Sequence, residues 1–361
     1  MALINRFKAP SNLPRIKDLR GCWVNGVFDT KMAGGCNIFG YDTTVWDKVK
    51  KEEKFMFSTA LFSDPVFQTL AKKLYFRDLE DVYFSGTSGS DAVEVSIRAA
   101  YNINKNSKIA CRQGAWHGGT LFASNLGSHP YFDVYKDMFN FGIVRKPEKI
   151  FRGYKTISEL VNSDVEFLKQ NKDVSVFIVE PIPSINYGLS YKFDRPDAYN
   201  NLREYCTENN IILIFDEVMS GFKTGKKYFT EHLEIDPDFL CLAKGLTAGV
   251  IPFSAVLARK GYLNDLAHGH TWSGNFIGAV AASHTIDYFY ENLPNLHELI
   301  QEFNKYFDYV LGSYFSINKD KIKNSPRVIM PSVSEYDNVV LQIPSNTPKK
   351  HFQMLLKQIM S

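Results

Sequence analysis

Two apolar runs end in charges. Ile211 to Phe215 is an unbroken apolar stretch that closes on Asp216 and Glu217, and Phe239 to Ala243 runs straight into Lys244 and Gly245. Each run has the length and composition of a buried parallel strand. Charges at such strand ends need partners, and the interval from 216 to 244 accommodates one crossover between neighbouring strands. A lysine and a carboxylate facing one crevice is what pyridoxal phosphate chemistry requires. The amine condenses with the cofactor aldehyde, and the acid keeps the ring nitrogen protonated so that the ring draws electrons. On spacing alone, a structural ion pair explains the two residues equally well. A nucleotide hydrolase holding Mg²⁺ on the Asp-Glu strand would need an upstream G-x-x-x-x-G-K-[ST] loop. The chain has none; GFKTGKK, Gly221 to Lys227, has the wrong spacing and lies downstream of the acidic strand.

Other stretches carry weaker signals. SGTSGSDAVEVSIRAAYN, Ser85 to Asn102, puts glycines and hydroxyl residues at a strand-to-helix junction, where free backbone N–H groups and the helix dipole favour an anion. Ser88, Gly89 and Ser90 form this candidate phosphate cup; the ordinary alternative is a serine-rich helix cap. In QGAWHGG, glycines free the loop to bring Trp116 onto a planar ring beside His117, although packing explains the pair as well. Glu180 ends a further apolar run, Val174 to Val179. His268 and His270 have H-x-H spacing, but no third ligand suggests itself, and no metal is expected.

The elements that must position these residues alternate. After a small antiparallel element (Cys22 to Phe28 and Lys31 to Gly40), Asp64 caps a helix over Pro65 to Phe76. Strands at Asp81 to Phe84, Lys108 to Arg112, Val174 to Val179, Ile211 to Phe215 and Phe239 to Ala243 are interleaved with helices from about Ser88, at Ile157 to Gln170 and at Arg195 to Asn209. Such alternation gives a parallel α/β sheet covered on both faces. Ligands then bind beyond the carboxyl strand ends, where Ser85 to Ser90, Glu180, Asp216 and Lys244 fall. Pro252 to Ala258 reads as a strand, Phe276 to Asn292 as a helix, Asn338 to Ile343 as a strand and Pro348 to Met360 as a closing helix. Ser128 to Tyr154 is aromatic-rich and irregular.

A charge of +3 gives no case for nucleic acid, and no apolar run is long enough to span a membrane. Five dispersed cysteines suit a reducing compartment, and the first residues lack the apolar core of a signal peptide, so a cytoplasmic protein is expected.

In motif order from Gly21 to Asn292, the chain resembles the class III pyridoxal-phosphate aminotransferases. TSGSDA, AWHGGT, FDEVMSGF, LAKGLTAG and HTWSGN carry the resemblance. It implies a fold type I transferase: a large domain with a mostly parallel seven-stranded sheet covered by helices, plus a smaller α+β domain. The expected divisions are 1–45, a segment joining the small domain; 46–258, the large cofactor-binding domain; and 259–361, a shortened small domain. Pyridoxal 5′-phosphate is the implied cofactor, with Lys244 as the Schiff-base lysine and Asp216 as partner of the pyridine nitrogen. Ser88, Gly89 and Ser90 would serve the phosphate, Trp116 would stack on the ring with His117 beside it, and Val218 would pack against it. Glu180 would sit at the cofactor, and Thr271 would reach the phosphate of the neighbouring subunit in a homodimer with shared sites. Small-molecule amine and carbonyl substrates and ping-pong kinetics follow.

Three departures concern the substrate. The chain is short for the family; the usual carboxylate-binding arginine has only Arg327 as a candidate; and the stretch after Glu180 lacks a G-x-G-G pattern. Tyr131, Phe132 and Tyr135 are expected to line the substrate side. Met219 gives the DEVM string a likeness to the aminomutase branch, so an intramolecular aminomutase stays open beside the transferase, as does a catalytically silent binding protein.

Overall fold

A computed structural model describes residues 16–52, 64–105, 108–127, 142–147, 156–183, 192–322, 328–329 and 338–360. Three short antiparallel strands, β1 (Leu19–Arg20), β2 (Trp23–Val24) and β3 (Val27–Asp29), come first. The main sheet follows: β4 (Asp81–Tyr83), β5 (Lys108–Arg112), β6 (Ile143–Lys146), β7 (Val174–Val179), β8 (Ile212–Asp216), β9 (Phe239–Leu242) and β10 (Ala255–Ala258), in the order β4-β10-β9-β8-β7-β5-β6. From β6 to β9 every pairing is parallel, whereas β10 runs antiparallel to both β9 and β4.

The central strands are apolar throughout because both faces are covered. Phe177, Val179, Leu213 and Phe215 point to a core with helices α4 (Ile157–Gln170) and α5 (Ala198–Glu208), while Val176, Ile178, Ile212 and Ile214 point to one with α3 (Gly89–Ile103). A third core gathers α1 (Thr44–Val49), α2 (Pro65–Leu74) and the first half of α6 (Phe276–Phe303) around β9 and β10. Side-chain caps start α2, α4 and α6: Asp64 accepts from Val66 N–H at 2.9 Å, Thr156 from Glu159 N–H at 3.3 Å, and Asn275 from Gly278 N–H at 2.7 Å.

Beyond Pro294, α6 continues into a smaller core. Leu299 and Phe303 pack there against the antiparallel strands β11 (Tyr309–Leu311), β12 (Tyr314–Asn318) and β14 (Asn338–Gln342) and against α7 (Lys349–Met360). The two-residue β13 (Val328–Ile329) pairs parallel with β3 and so ties the two ends of the chain together.

Several expectations change. Within the segment expected to be irregular, residues 143–146 form the edge strand β6. Residues 31–40 form no strand: they turn sharply, with Met32 and Ala33 at φ +49° and +50°. Helix α6 runs through Pro294 to Phe303 rather than stopping at 292, and the tail holds a three-stranded sheet where one strand was expected.

Candidate active site

Strands β8 and β9 lie side by side in parallel, with Asp216 opposite Cys241. Lys244 follows three residues later, so both charged residues stand at the same edge of the sheet. Lys244 opens a short 3-10 turn and has φ +39°, a left-handed backbone that costs energy for a residue with a Cβ and recurs at functional sites. Asp216 is almost fully buried. Its Oδ1 accepts from Val218 N–H at 3.1 Å, and its Oδ2 lies 2.8 Å from His117 Nδ1. The ring's other nitrogen, Nε2, is buried and lacks a hydrogen-bond partner among the described residues.

The Gly/Ser junction is the N-terminus of α3. Ser88 caps it, its hydroxyl accepting from Asp91 N–H, and Gly89 and Ser90 are the first helical residues, whose N–H groups have no intrahelical acceptor. Gly89 has no room for a side chain, since a Cβ there would lie 2.5 Å from Val218 Cγ1. Ser90 Oγ accepts from Gly119 N–H at 3.0 Å, which ties the cup to the Trp116–His117 loop. The segment carrying Thr271 docks on the stretch between β4 and α3: Gly274 N–H donates to Phe84 O at 2.9 Å and Asn275 Nδ2 to Gly86 O at 2.7 Å. Thr271 itself is exposed.

Glu180 follows β7 and its Oε2 accepts from Trp116 N–H at 3.3 Å. A strut behind it escaped the sequence reading. Arg112, nearly all buried, donates to the Glu180 carbonyl at 2.8 Å and to Asp164 at 2.5 Å, while Lys146 Nζ reaches the same aspartate at 2.6 Å. Glu217, beside Asp216, faces away from the crevice. It accepts from Phe229 N–H, Thr230 N–H, the Thr230 hydroxyl and the Ser220 hydroxyl at 2.6, 2.9, 2.5 and 3.3 Å, and burial pushes its pKa up to about 7.

His268 and His270 gain a third neighbour that their spacing did not reveal. Asp91, in the first turn of α3, receives their Nε2 atoms at 3.0 and 2.9 Å, one on each oxygen. Both imidazoles are thereby engaged in fixing the Thr271 segment to the helix. Arg327, Tyr131, Phe132 and Tyr135 lie outside the described residues, as does most of the stretch after Glu180.

These side chains fit pyridoxal phosphate, the group implied by the sequence resemblance. A lysine amine and a buried carboxylate share one sheet edge, an imidazole nitrogen has no partner among the described residues, and a helix N-terminus with a close-packed glycine offers amides to an anion.

Comparison with known proteins gives the same picture. A family model described as aminotransferase class-III matches residues 33–324. An adenosylmethionine-8-amino-7-oxononanoate aminotransferase of Staphylococcus aureus is 31% identical over 284 residues, 69% of this chain and 62% of that protein. Its namesake in Methanocaldococcus jannaschii is 30% identical over 325 residues, 78% of this chain and 70% of that protein. Among solved structures, the M. jannaschii enzyme superimposes with a TM-score of 0.79 at 24% identity, covering 98% of this chain and 93% of that one. The PMP-bound aminotransferase of Vibrio fluvialis gives 0.78 at 19%, covering 95% and 90%. The fold is therefore the fold type I arrangement.

Proposed function

The chain belongs to the class III aminotransferases, and from that membership we propose that it moves an amino group from an amine or amino acid donor to a carbonyl acceptor with pyridoxal 5′-phosphate as cofactor. The observation that carries this reading is the strand register that brings Lys244 and Asp216 to one edge. Bound cofactor supplies an aldehyde that condenses with amines and a protonated ring that accepts electrons.

The chain's own residues supply the rest. The Asp216 carboxylate, nearly all buried and oriented by His117, would pair with the ring nitrogen and keep a proton there. Lys244 Nζ, on its strained turn, takes the proton from the substrate carbon and returns it at the cofactor carbon, acting as base and then as acid. Ser88, Gly89 and Ser90 bind the phosphate through helix N-terminal amides. Trp116, whose backbone is held by Glu180, would stack on the ring, and Val218 would pack against it. Two half-reactions in alternation give ping-pong kinetics.

Transfer is favoured over an intramolecular amino shift by the aminotransferase names of the relatives. A shift needs no separate carbonyl acceptor to complete the cycle, so acceptor dependence decides between them. The dispersed free cysteines support a cytoplasmic setting. The exposure of Thr271 and of Trp272 beside it supports a homodimer in which Thr271 completes the partner's phosphate site.

The test is spectral titration of purified protein with a panel of amines, followed by borohydride reduction and peptide mapping. Visible absorbance that amines bleach, and a reduced label on Lys244, are expected. A colourless protein, or a label elsewhere, rejects the reading.

A further inference from the structure

Lys223 is fully buried, and none of its contacts among the described residues is an anion. Its Nζ donates to the Gly35 carbonyl at 2.7 Å and lies 3.5 Å from Met219 Sδ. Lys244 Nζ meets the same sulfur at 4.0 Å. Two lysine amines thus flank one thioether, among the weakest acceptors a side chain offers. The titratable groups facing Lys223 are Lys244 and the Cys36 thiol; burial first, and then the like charge of Lys244, push its pKa well below the usual lysine range.

An independent feature borders the same point. Gln342 Oε1, at the end of β14, is buried without a hydrogen-bond partner among the described residues. A Cβ built on Gly35 would lie 2.6 Å from Met219 Sδ, 3.0 Å from Lys223 Nζ and 3.3 Å from Gln342 Oε1, so an orphan amide oxygen and a lysine amine that meets no anion among the described residues share one nook. Buried ammonium groups are ordinarily paired. A half-turn of the amide exchanges its oxygen for its NH₂ and offers a second donor.

We infer that Lys223 and Gln342 form the anion subsite of the active centre, taking a substrate carboxylate in the place that the Met219 thioether fills. This rests on the aminotransferase reading and narrows it: the substrates are amino acids and oxo acids with the carboxylate a few bonds from the transferred nitrogen. Met219 is only half-buried and unbranched, so its side chain moves aside at low cost. Arrival of the anion draws a proton onto Lys223, because only the charged form gains from the pairing.

The test uses the full chain loaded with pyridoxal phosphate. Half-turnover rates are compared for α- and ω-amino acids and for the matching amines in which methyl replaces carboxylate. At its best chain length the wild-type protein prefers the amino acid by roughly 100-fold. Lys223→Met brings that ratio close to one and raises the melting temperature, since it removes a buried amine that is poorly satisfied without the anion, while Lys223→Arg retains part of the preference. A second arm follows glutarate binding by calorimetry in buffers of different ionisation enthalpy. Proton uptake is expected in the wild type, and neither binding nor uptake in Lys223→Met. A wild-type protein without carboxylate preference, or a methionine variant that keeps it, overturns the subsite and leaves the aminotransferase reading standing. A protein that no amine bleaches overturns that reading, and the subsite with it.

Discussion

His117 and Asp216 stand 99 positions apart in the chain and 2.8 Å apart in space, which is why one was legible as chemistry and the other only as a neighbour of Trp116. Asp216 and Lys244 could be read because each ends an apolar run. Lys223 could not, since in GFKTGKK it looks like one of several solvated lysines, and only the fold shows that it is fully buried. Replacing Asp216 with Asn removes the charge but little volume; half-turnover with any amine is expected to fall by about 10²–10⁴-fold, measured by stopped-flow absorbance. His117→Gln, acting through Asp216, should shift the pH profile of that rate more than it alters substrate affinity. Glu217 gives a stability prediction with a definite sign. Its folded pKa is raised from 4.5 to about 7, so the native state holds the proton more tightly than the unfolded chain. The resulting stability is full below the unfolded value and is lost as pH rises to about 7, a change of about 3 kcal/mol. Denaturant midpoints across that window should decline for the wild type relative to Glu217→Gln; parallel curves would refute it.

The start of α2 was readable from its Asp64 cap, and the central strands from their unbroken apolar runs. Three features of the elements were not. Ile143–Lys146 has apolar residues in its first half only and lies at the sheet edge, so it resembled the loop around it. Ala255–Ala258 is as apolar as its neighbours, and nothing in composition tells an antiparallel strand from a parallel one. Pro294 reads as a stop, yet packing of Leu296, Leu299 and Phe303 outweighs the hydrogen bond it removes. The strut behind Glu180 shows what such packing protects. Asp164→Ala would leave Arg112 and Lys146 buried without their shared anion, and a loss of about 3–5 kcal/mol is expected from chemical denaturation. Gly312 holds the C-terminal sheet against the loop after β8: it has φ +57°, and a Cβ there would lie 2.2 Å from Gly225 N. Gly312→Ala should therefore cost roughly 1–3 kcal/mol and weaken donor binding together with stability, as read by KM and melting temperature.

The large sheet, its helical cover and the smaller C-terminal unit were all anticipated from the order of elements, whereas the way the units join was not, because contacts such as Tyr314 to the Met219 carbonyl at 2.8 Å link positions far apart in sequence. Assembly is the prediction that belongs to this scale. Sedimentation should give a dimer, and Thr271→Ala should loosen cofactor binding without dissociating it, as measured by equilibrium dialysis. One last consequence comes from α6. At 1.5 Å per residue its 28 residues reach about 42 Å, from Asn275, which grips the Gly86 carbonyl, to Phe303 in the far core. A rod anchored at both ends transmits tilt, so a small rocking of the C-terminal sheet arrives at the phosphate end as a displacement of Gly86. Pro294, where one backbone bond is missing, is the compliant point that sets how much of that motion gets through.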